Sequence, residues 1–434
     1  MIQNSKILIK RLIFPDILRH LDKPEITIIT GPRQVGKTTL LGQIRTYLIQ
    51  QGVSERAIYS FNLDVLSDRD LFQSQERFIA FLKERLGQDR VYVLVDEAQR
   101  VENAGIFFKG IYDLELPAKF ILTGSSALEI RSKIHEPLTG RKRVFYLYPL
   151  SFKEYLSIGD ATLAELVGRR EISEASRARM QTHLETFLVW GGYPRVALET
   201  HIDEKRSLLN EIYLSYLERD IIGFLQIKNY PALSNLVTLL AGQVGQLVNS
   251  NELNQSLKIE RKTVEKYLEI LQETYIMRKL TPYFRNARKE LVKMPKIYFV
   301  DVGIRNIALN LLHEAPEARD RGALLENFVF SEMLKFQTLQ TQVRFWRTKE
   351  KAEVDFIVLP AADKPIPFEI KATALSSPEI SRSFRSFLDQ YRPSRAYIIN
   401  RGFRGSMWHG ATTIEFIHPY EVMSAMERLE MNEK

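Results

Sequence analysis

The chain has 434 residues, 45% of them hydrophobic and 26% charged, which is ordinary for a globular protein of about two to four domains. Its 61 basic and 53 acidic residues leave a formal net charge of +8, which favours contact with phosphate polymers, although a merely solvated basic surface would show the same balance. The absence of cysteine excludes disulfides and cysteine-ligated zinc and favours a cytoplasmic location, and the sequence predicts neither a signal peptide nor a membrane partner.

The first 150 residues alternate short apolar runs with helical patterns. The apolar runs are EITIIT, AIYSFNLD, VYVLVDE, KFILTGS and RVFYLY. Buried strands that alternate with helices are typical of a parallel α/β sheet. We therefore predict an α/β domain with a parallel sheet over residues 1–150.

A phosphate-binding loop follows the first apolar run. Its sequence, GPRQVGKT, matches the pattern G-x-x-x-x-G-K-[ST] between a strand and a helix, which disfavours a glycine turn with an incidental lysine. Glycines let successive N–H groups point at phosphate oxygens, and the helix start adds its positive end. Lys37 is expected to reach the terminal phosphates and Thr38 to coordinate Mg²⁺. The residues predicted to bind ATP here are Gly31, Pro32, Arg33, Gln34, Val35, Gly36, Lys37, Thr38 and Thr39.

Two acids end the run VYVLVDE. An acid at the end of an apolar strand is costly unless it faces a metal ion or water. Asp96 is therefore expected to bind ATP through Mg²⁺, directly or through water, and Glu97 to orient the attacking water. A chance pair of strand-end acids is the alternative.

Two further segments supply candidates for the same site. Residues 123–126, TGSS, end the next strand and could place a hydroxyl such as that of Ser125 near the γ-phosphate, or simply form a turn and a helix cap. In LTGRKRVFYL, Arg141 is a candidate stabiliser of the transferred phosphoryl group, with a solvated basic cluster as the alternative.

These segments resemble a known family. GPRQVGKTTL, LVDEAQ, LTGSSALEI, and LTGR followed by YPLSFKEYL are similar to the AAA-type ATPases of bacteria and archaea whose C-terminal domain is of unknown function. The resemblance covers nearly the whole chain and includes WGGYPRVAL and YFVDVGIRN. It implies an ATPase with a Walker A lysine at Lys37, Walker B acids at Asp96 and Glu97, and a sensor hydroxyl within residues 123–126.

The middle of the chain changes character twice. Residues 151–240 show helical spacing without strand runs, which predicts a helical, lid-like segment. Over residues 241–295 a short helix at 251–257, a longer one at 261–273 and the strand-like run YIMRKLTPYF predict a winged helix. Winged helices bind DNA or serve as plain protein contacts.

Two basic features favour DNA as the partner of the predicted winged helix. Its second helix would expose Arg261, Lys262, Thr263 and Lys266 to nucleic acid and turn Val264, Tyr267, Leu268 and Leu271 toward the core. The basic stretch FRNARKELVKMPK would contact the phosphate backbone, with a solvated loop as the alternative. Its five basic residues are Arg285, Arg288, Lys289, Lys293 and Lys296.

Residues 296–434 show a second α/β pattern in which two apolar runs carry charges. In EVDFIVL, strand alternation would put Asp355 on one face with Glu353 and Ile357. In PIPFEIKA, Glu369 and Lys371 would share a face. Pairing of the two runs as a hairpin would bring Asp355, Glu369 and Lys371 together.

Such a cluster fits metal-assisted chemistry. Two close carboxylates favour a divalent cation, and an ammonium can stabilise an attacking hydroxide and the developing phosphorane charge. With Glu326 from the preceding helix, the layout resembles the PD-(D/E)xK nuclease fold, except that Val354 precedes the aspartate instead of proline. The predicted ligands of Mg²⁺ or Mn²⁺ are Glu326, Asp355 and Glu369, and Lys371 would act beside them. An edge hairpin with a cross-strand ion pair is the alternative.

Two functions follow from these motifs. The favoured one is an ATP-dependent or ATP-regulated, metal-dependent DNA nuclease. The alternative is an ATP-gated switch or scaffold that binds DNA or protein through a non-cleaving nuclease-like domain. A homo-oligomer, in which Arg141 would act on a neighbouring copy, and a protein partner are both open.

Overall fold

The chain is known from a computed structural model, which describes residues 8–86, 90–124, 138–169, 171–217, 229–284, 294–312, 318–336, 341–360 and 364–431. Leu8–Pro149 and Glu273–Tyr275 form one compact unit, the P-loop unit. Leu150–Gln272 and Ile276–Lys434 belong to a second, the C-terminal unit. The segments predicted as three domains after residue 150 thus share one unit.

The P-loop unit is built on a parallel sheet. Its strands are β1 (Ile26–Thr30), β2 (Ile58–Asn62), β3 (Val91–Asp96), β4 (Ala118–Gly124) and β5 (Lys142–Tyr146). Its helices are α1 (Phe14–Arg19), α2 (Lys37–Gln50), α3 (Leu66–Leu71), α4 (Gln75–Arg85) and α5 (Ala104–Tyr112). The five strands lie in the order β2-β3-β4-β1-β5 and all pair in parallel. The parallel sheet predicted for this region is confirmed.

An aromatic core fixes this sheet. Phe78, Phe107 and Phe108 from the helices pack with Phe72 and with Phe120 of β4, with neighbouring ring centroids 4.7 to 6.5 Å apart. Such aromatic pairs contribute about 0.5–1.5 kcal/mol each beyond their buried area. The core therefore holds the sheet rigid behind the carboxyl ends of its strands, where parallel α/β sheets bind ligands.

A partly buried histidine ties the start of the P-loop unit to the sheet. His20 Nδ1 lies 2.8 Å from Thr27 Oγ1 and 3.4 Å from Lys119 Nζ, and Lys119 is fully buried. Burial and then the charge of Lys119 lower the pKa of His20 from 6.5 to about 4, although the carboxylate of Glu25 acts in the opposite direction. The folded chain therefore favours the neutral imidazole.

This shift predicts a loss of stability in mild acid. Because the unfolded chain takes up a proton on His20 near pH 6.5 and the folded chain only near pH 4, stability falls as the pH drops through this window. We expect the P-loop unit to lose about 2 kcal/mol of unfolding free energy between pH 7 and pH 5 through this group. Urea unfolding at both pH values should show a smaller loss in His20→Asn and an unchanged loss in His201→Asn, whose imidazole is exposed. Equal losses in wild type and His20→Asn would contradict the assignment.

The C-terminal unit combines helices with two sheets. Its helices are α6 (Phe152–Gly159), α7 (Ala161–Leu166), α8 (Glu174–Trp190), α9 (Pro194–Leu198), α10 (Ile202–Ser215), α11 (Tyr230–Gly242), α12 (Ser250–Leu257), α13 (Arg261–Glu273), α14 (Val302–Ala308), α15 (Ala318–Phe336), α16 (Arg382–Tyr391) and α17 (Val422–Met431). Its strands are β6 (Met277–Leu280), β7 (Lys296–Phe299), β8 (Gln342–Arg347), β9 (Glu353–Leu359), β10 (Ile366–Ile370), β11 (Arg395–Ile399), β12 (Gly405–His409) and β13 (Thr412–Ile417). No helix in the described ranges has both the length and the apolar character needed to cross a bilayer.

The two helices predicted for the winged helix are present as α12 and α13. Lys258 ends α12 with a positive φ of 53°, which reverses the chain before α13 starts. The side chains expected in the core are buried, namely Val264, Tyr267, Leu268 and Leu271. An antiparallel pair follows, but it joins β6 to β7 and so crosses the predicted domain boundary between residues 295 and 296.

A six-stranded mixed sheet forms the rear of the unit, in the order β12-β13-β11-β10-β9-β8. β9 and β10 pair antiparallel, as predicted, while β10 pairs parallel with β11. Apolar side chains of β9, β11 and β13 pack against α16 in one buried cluster. Strands β12 and β13 lie beyond the last run singled out in the sequence.

Two motifs that carried the family resemblance contact each other. Asp301, from YFVDVGIRN, accepts hydrogen bonds from the backbone N–H groups of Gly192 (2.7 Å), Gly303 (2.9 Å) and Ile304 (3.3 Å). Gly192 belongs to WGGYPRVAL. The side-chain amide of Asn306 donates to the carbonyl oxygens of the last turn of α8. These motifs therefore join α8 to α14, which is a structural role.

Candidate functional site

The P-loop starts where β1 ends and needs glycine at two positions. A Cβ on Gly31, whose φ is 152°, would lie 2.0 Å from the carbonyl oxygen of Leu147. Gly36 precedes α2 with a φ of 96°, a conformation that other residues rarely adopt. The predicted curl of the loop is therefore built from both glycines.

The charged end of Lys37 lies at this loop. Its side chain is 6% exposed, and Nζ donates to the carbonyl oxygens of Gly31 (3.0 Å) and Pro32 (2.7 Å). Phosphate oxygens would compete with these carbonyls for the ammonium. Pro32 has no N–H to offer a phosphate, and the side chain of Val35 is fully buried. The loop would thus hold phosphate mainly through backbone N–H groups and Lys37.

The predicted magnesium ligands lie together. Thr38 Oγ1, exposed at the start of α2, donates to Asp96 Oδ2 at 2.6 Å. The other oxygen of Asp96 accepts a hydrogen bond from Thr123 Oγ1, which also accepts one from Glu97 N at 3.2 Å. Hydroxyl and carboxylate oxygens are the ligands that Mg²⁺ prefers, so these residues fit the ion. The hydroxyl of Thr123 is engaged in positioning both acids.

Glu97 has a strained backbone at the end of β3. Its φ of 55° and ψ of 45° place it in the left-handed region, which is uncommon outside glycine and concentrates at functional sites. Gln99 Nε2 donates to Glu97 Oε2 at 2.5 Å and is buried. Gln99 was not predicted, although its place two residues after the acids in LVDEAQ was visible in the sequence.

Arg141 is not placed to act on phosphates bound to its own chain. Its carbonyl oxygen accepts a hydrogen bond from Ile26 N at the amino end of β1, and the P-loop follows the opposite end. The five residues of β1 separate the two by about 15 Å. Its guanidinium pairs with Asp113 at 2.7 Å. The prediction of Arg141 as a charge stabiliser is therefore wrong within one chain, and Ser125 lies outside the described residues.

Arg11 is a second residue that the sequence did not indicate. It is 7% exposed and donates to the carbonyl oxygens of Val35 (2.8 Å) and Tyr148 (2.6 Å). These bonds clamp the middle of the P-loop to the segment after β5. An arginine far upstream of the motif carries no local pattern that would have revealed this contact.

In the C-terminal unit, β9 and β10 bring the predicted acids together. The pairing register continues from Phe368 and Phe356 to place Glu369 level with Asp355. Asp355 Oδ2 accepts a hydrogen bond from Ile370 N at 2.7 Å. Lys371 Nζ donates to Glu369 Oε1 at 2.9 Å. The predicted convergence of Asp355, Glu369 and Lys371 is therefore seen in the geometry.

A bulge in β9 changes the predicted faces. Arg344 pairs with Ile357 and Trp346 with Val354, so two steps along β8 match three along β9. Val354 and Ile357 consequently both pack in the apolar cluster against α16. The prediction that Ile357 shares the face of Asp355 is wrong because simple alternation fails at the extra residue.

The interior of this cluster already contains a cation. Lys296, 1% exposed, comes from β7 and places Nζ 2.6 Å from Glu353 Oε1 and 3.3 Å from Glu326 Oε1. Tyr298 OH donates to Glu326 Oε1 at 2.5 Å. Lys296 was predicted in the basic patch that contacts DNA, and that prediction is wrong because the side chain is buried. The other basic residues of that patch, Arg285, Arg288, Lys289 and Lys293, lie outside the described residues.

The charges of this cluster act on each other. Burial, then the charge of Glu326, raise the pKa of Asp355 to about 8, against the opposing effects of Lys296 and the hydrogen bond from Ile370 N. Burial lowers the pKa of Lys296, but the charges of Glu326, Asp355 and Glu353 outweigh burial and raise it. The ammonium therefore stays charged.

The predicted metal ligands do not fit a divalent ion as they stand. No group of three or more His, Cys, Asp or Glu side chains is arranged to hold a metal in the part of the chain that the structure describes. Glu326 points its carboxylate at Lys296 and Tyr298, and Glu369 is bonded to Lys371. The acids lie close together, but Glu326, one oxygen of Asp355 and one oxygen of Glu369 are already bound by donors of the protein.

Three family models match the chain. Residues 23–156 match a model described as an AAA domain. Residues 181–315 match a domain of unknown function, DUF8612, and residues 321–417 match another, DUF4143. The descriptions of the two C-terminal models name no activity.

Similar proteins extend over most of the chain. An uncharacterized protein of Haemophilus influenzae is 28% identical over 328 residues, which cover 74% of this chain and 76% of that protein. An uncharacterized protein of Mycobacterium tuberculosis is 28% identical over 387 residues, covering 88% and 78%. Among solved structures, the Walker-type ATPase of Pyrococcus abyssi has a TM-score of 0.41 and 16% identity, covering 69% of this chain and 95% of that one.

The matched model and the geometry agree on the front of the chain. The glycine loop, Lys37, the Thr38–Asp96 contact and the parallel sheet all lie between residues 23 and 156. Residues 23–156 therefore form a P-loop domain that is similar to the AAA domain family.

Proposed function

We propose that the chain binds and hydrolyses Mg²⁺–ATP in its P-loop unit and that nucleotide turnover controls a C-terminal unit which associates with DNA without cutting it. The observation that carries the ATPase part is the 2.6 Å contact of Thr38 with Asp96 beside the ammonium of Lys37. This contact supports a site in which one ion and one phosphate chain are held between the start of α2 and the end of β3.

Each residue of this site has a distinct role in the proposal. Lys37 exchanges its bonds to loop carbonyls for phosphate oxygens, and Thr38 and Asp96 hold Mg²⁺. The bound ion would neutralise charge on the phosphates. Glu97 orients the attacking water, and Gln99 fixes the direction of its carboxylate. Thr123 is a positioning residue, because its hydroxyl bonds both Asp96 and the backbone of Glu97.

The ATPase part is tested with the full chain. Phosphate release and binding of a fluorescent ATP analogue are measured with Mg²⁺ and with excess EDTA. We expect nucleotide binding and hydrolysis that requires Mg²⁺. Neither binding nor hydrolysis over a range of Mg²⁺ concentrations would overturn the proposal.

The DNA part is supported by the surface of α13. Arg261, Lys262 and Lys266 are exposed at the start of this helix, while its apolar side is buried. Arg261 also pairs with Glu265 at 2.8 Å, so the two lysines contribute most of the available positive charge. A second helix of a helix-turn-helix with exposed cations is the element that commonly enters a DNA groove.

DNA binding should depend on these lysines through salt. In the double variant Lys262→Ala/Lys266→Ala, loss of two phosphate contacts is expected to reduce the slope of log K against log salt by about 2 for duplex DNA. Fluorescence anisotropy at several salt concentrations measures this slope. The double variant Arg382→Ala/Arg385→Ala removes two exposed charges from α16 and should leave the slope unchanged. An unchanged slope in the α13 variant would contradict DNA contact at this helix.

Metal-dependent DNA cleavage, the function favoured from the sequence, is the second candidate. Its support is the juxtaposition of Asp355, Glu369 and Lys371 on β9 and at the end of β10. The buried ammonium of Lys296 among the same acids favours the non-cleaving alternative. Mn²⁺-dependent cutting of duplex, single-stranded or branched DNA that is lost in Lys371→Ala would establish the second candidate.

A further inference from the structure

We propose that the ammonium of Lys296 takes the place of a divalent metal ion among the carboxylates of the C-terminal unit, so that this cluster binds neither Mg²⁺ nor Mn²⁺. The inference deepens the non-cleaving part of the proposed function and is independent of the ATPase part. It predicts a latent metal site that appears only when this lysine is removed.

The ammonium of Lys296 lies between two carboxylates of the cluster. Lys296 Nζ lies within 3.3 Å of both Glu326 and Glu353, and its side chain is 1% exposed. A buried ammonium is tolerated only when carboxylates compensate it, so these two acids are committed to the lysine. Glu326 is also the acid that a metal shell in this cluster would need from α15.

Glu326 and Glu353 also contact groups other than Lys296. Arg347 Nη1 donates to Glu353 Oε2 at 2.6 Å. Tyr298 OH bonds Glu326, and a Cβ built on Gly245 would lie 2.9 Å from Glu326 Oε2. The carboxylate of Glu326 is thus confined by two side chains of β7 and by the backbone at Gly245. Its Oε1 therefore stays bound to Lys296 and Tyr298 while these contacts last.

The other two acids of the cluster are Asp355 on β9 and Glu369 on β10. Glu369 is 7% exposed, and its Oε2 has no hydrogen-bond partner among the described residues. A buried carboxylate oxygen without a donor costs about 1–3 kcal/mol of stability, so a cation bound there would be stabilising. It lies level with Asp355 across the β9–β10 pair. This unsatisfied oxygen marks where a metal would be drawn once positive charge is withdrawn.

The positive and negative charges of this cluster also disfavour a bound divalent ion. Glu326 and Glu353 pair with Lys296, Glu353 also pairs with Arg347, and Glu369 pairs with Lys371. These three carboxylates and three cations leave no net negative charge to attract a divalent ion. Removing the ammonium of Lys296 leaves negative charge on Glu326 and Glu353 without its partner. Uncompensated carboxylates at close range favour binding of Mn²⁺.

The test measures Mn²⁺ alone, without nucleotide, on the full chain. Free Mn²⁺ is followed by electron paramagnetic resonance, and each protein is compared with the same protein carrying Asp355→Asn, which cancels any ion bound elsewhere. We expect wild type and Asp355→Asn to bind Mn²⁺ identically. Lys296→Met, which keeps the unbranched stem of lysine up to the ε position and removes the ammonium, is expected to bind one more Mn²⁺ than Lys296→Met/Asp355→Asn.

Several outcomes would overturn the proposal. Wild type that binds one Mn²⁺ more than Asp355→Asn shows that Lys296 does not exclude the ion. A folded Lys296→Met that gains no ion shows that the lysine does not stand in for one. Lys296→Gln is the second variant if Lys296→Met does not fold, and the wild-type comparison decides even without either. ATP hydrolysis, followed in parallel, separates failure here from failure of the ATPase proposal.

Discussion

Lys37→Ala is expected to lower kcat for ATP hydrolysis by about 10²–10³-fold, the usual cost of removing one preorganised charge stabiliser. The ammonium is held at the mouth of the loop by the carbonyls of Gly31 and Pro32, and alanine removes the only part of the side chain that can reach phosphate. Steady-state phosphate release at saturating ATP and Mg²⁺ measures the effect. We expect weaker nucleotide binding as well, because phosphate contacts are made before the reaction.

Two matched variants make this result interpretable. Lys83→Ala removes an exposed lysine from α4 of the same unit and should leave hydrolysis unchanged. Glu97→Gln keeps the loop intact and should bind ATP while losing hydrolysis, because the amide cannot orient water as the carboxylate does. Hydrolysis by Lys37→Ala at the wild-type rate would mean that the P-loop is not the site of turnover.

Asp301→Ala is expected to lower the free energy of unfolding of the C-terminal unit by about 3 kcal/mol or more. The carboxylate is 3% exposed and accepts three backbone hydrogen bonds, and its loss would leave buried N–H groups without acceptors, at about 1–3 kcal/mol each. Urea unfolding followed by circular dichroism measures the change.

Asp301→Asn is the matched control for this experiment. The asparagine oxygen can still accept from Gly303 and Ile304, whereas its amide cannot accept from Gly192. We therefore expect about half the loss seen in Asp301→Ala. Equal stability of wild type and Asp301→Ala would show that the join between α8 and α14 does not depend on this carboxylate.

The front of the chain could be predicted well because its signals are local. A P-loop needs glycines, a lysine and a hydroxyl at fixed spacing, and apolar runs alternating with helices indicate parallel strands. Asp96 and Glu97 end their strand as expected and lie beside Thr38 and Thr123. Arg141 was misjudged, because a residue that precedes a parallel strand lies at the amino edge of the sheet, whereas the P-loop follows the carboxyl end of its strand.

The rear of the chain was harder because its site is built from distant segments. The hairpin of β9 and β10 and the meeting of Asp355 with Glu369 followed from alternation and the charges of two short runs. The bulge that turns Ile357 to the apolar side did not, since one extra residue in a strand leaves no mark on composition.

By itself the sequence determined the phosphate-binding loop, the alternation of strands and helices over the first 150 residues, and the presence of acids and a lysine on two neighbouring apolar runs. Only the tertiary structure decided what those acids face. Lys296 is 59 residues before Asp355 in the chain and was predicted in a basic patch that contacts DNA, yet β7 carries it into the interior of the acid cluster. A buried charge is compensated by whatever lies within a few ångströms in space, and sequence motifs do not record that distance.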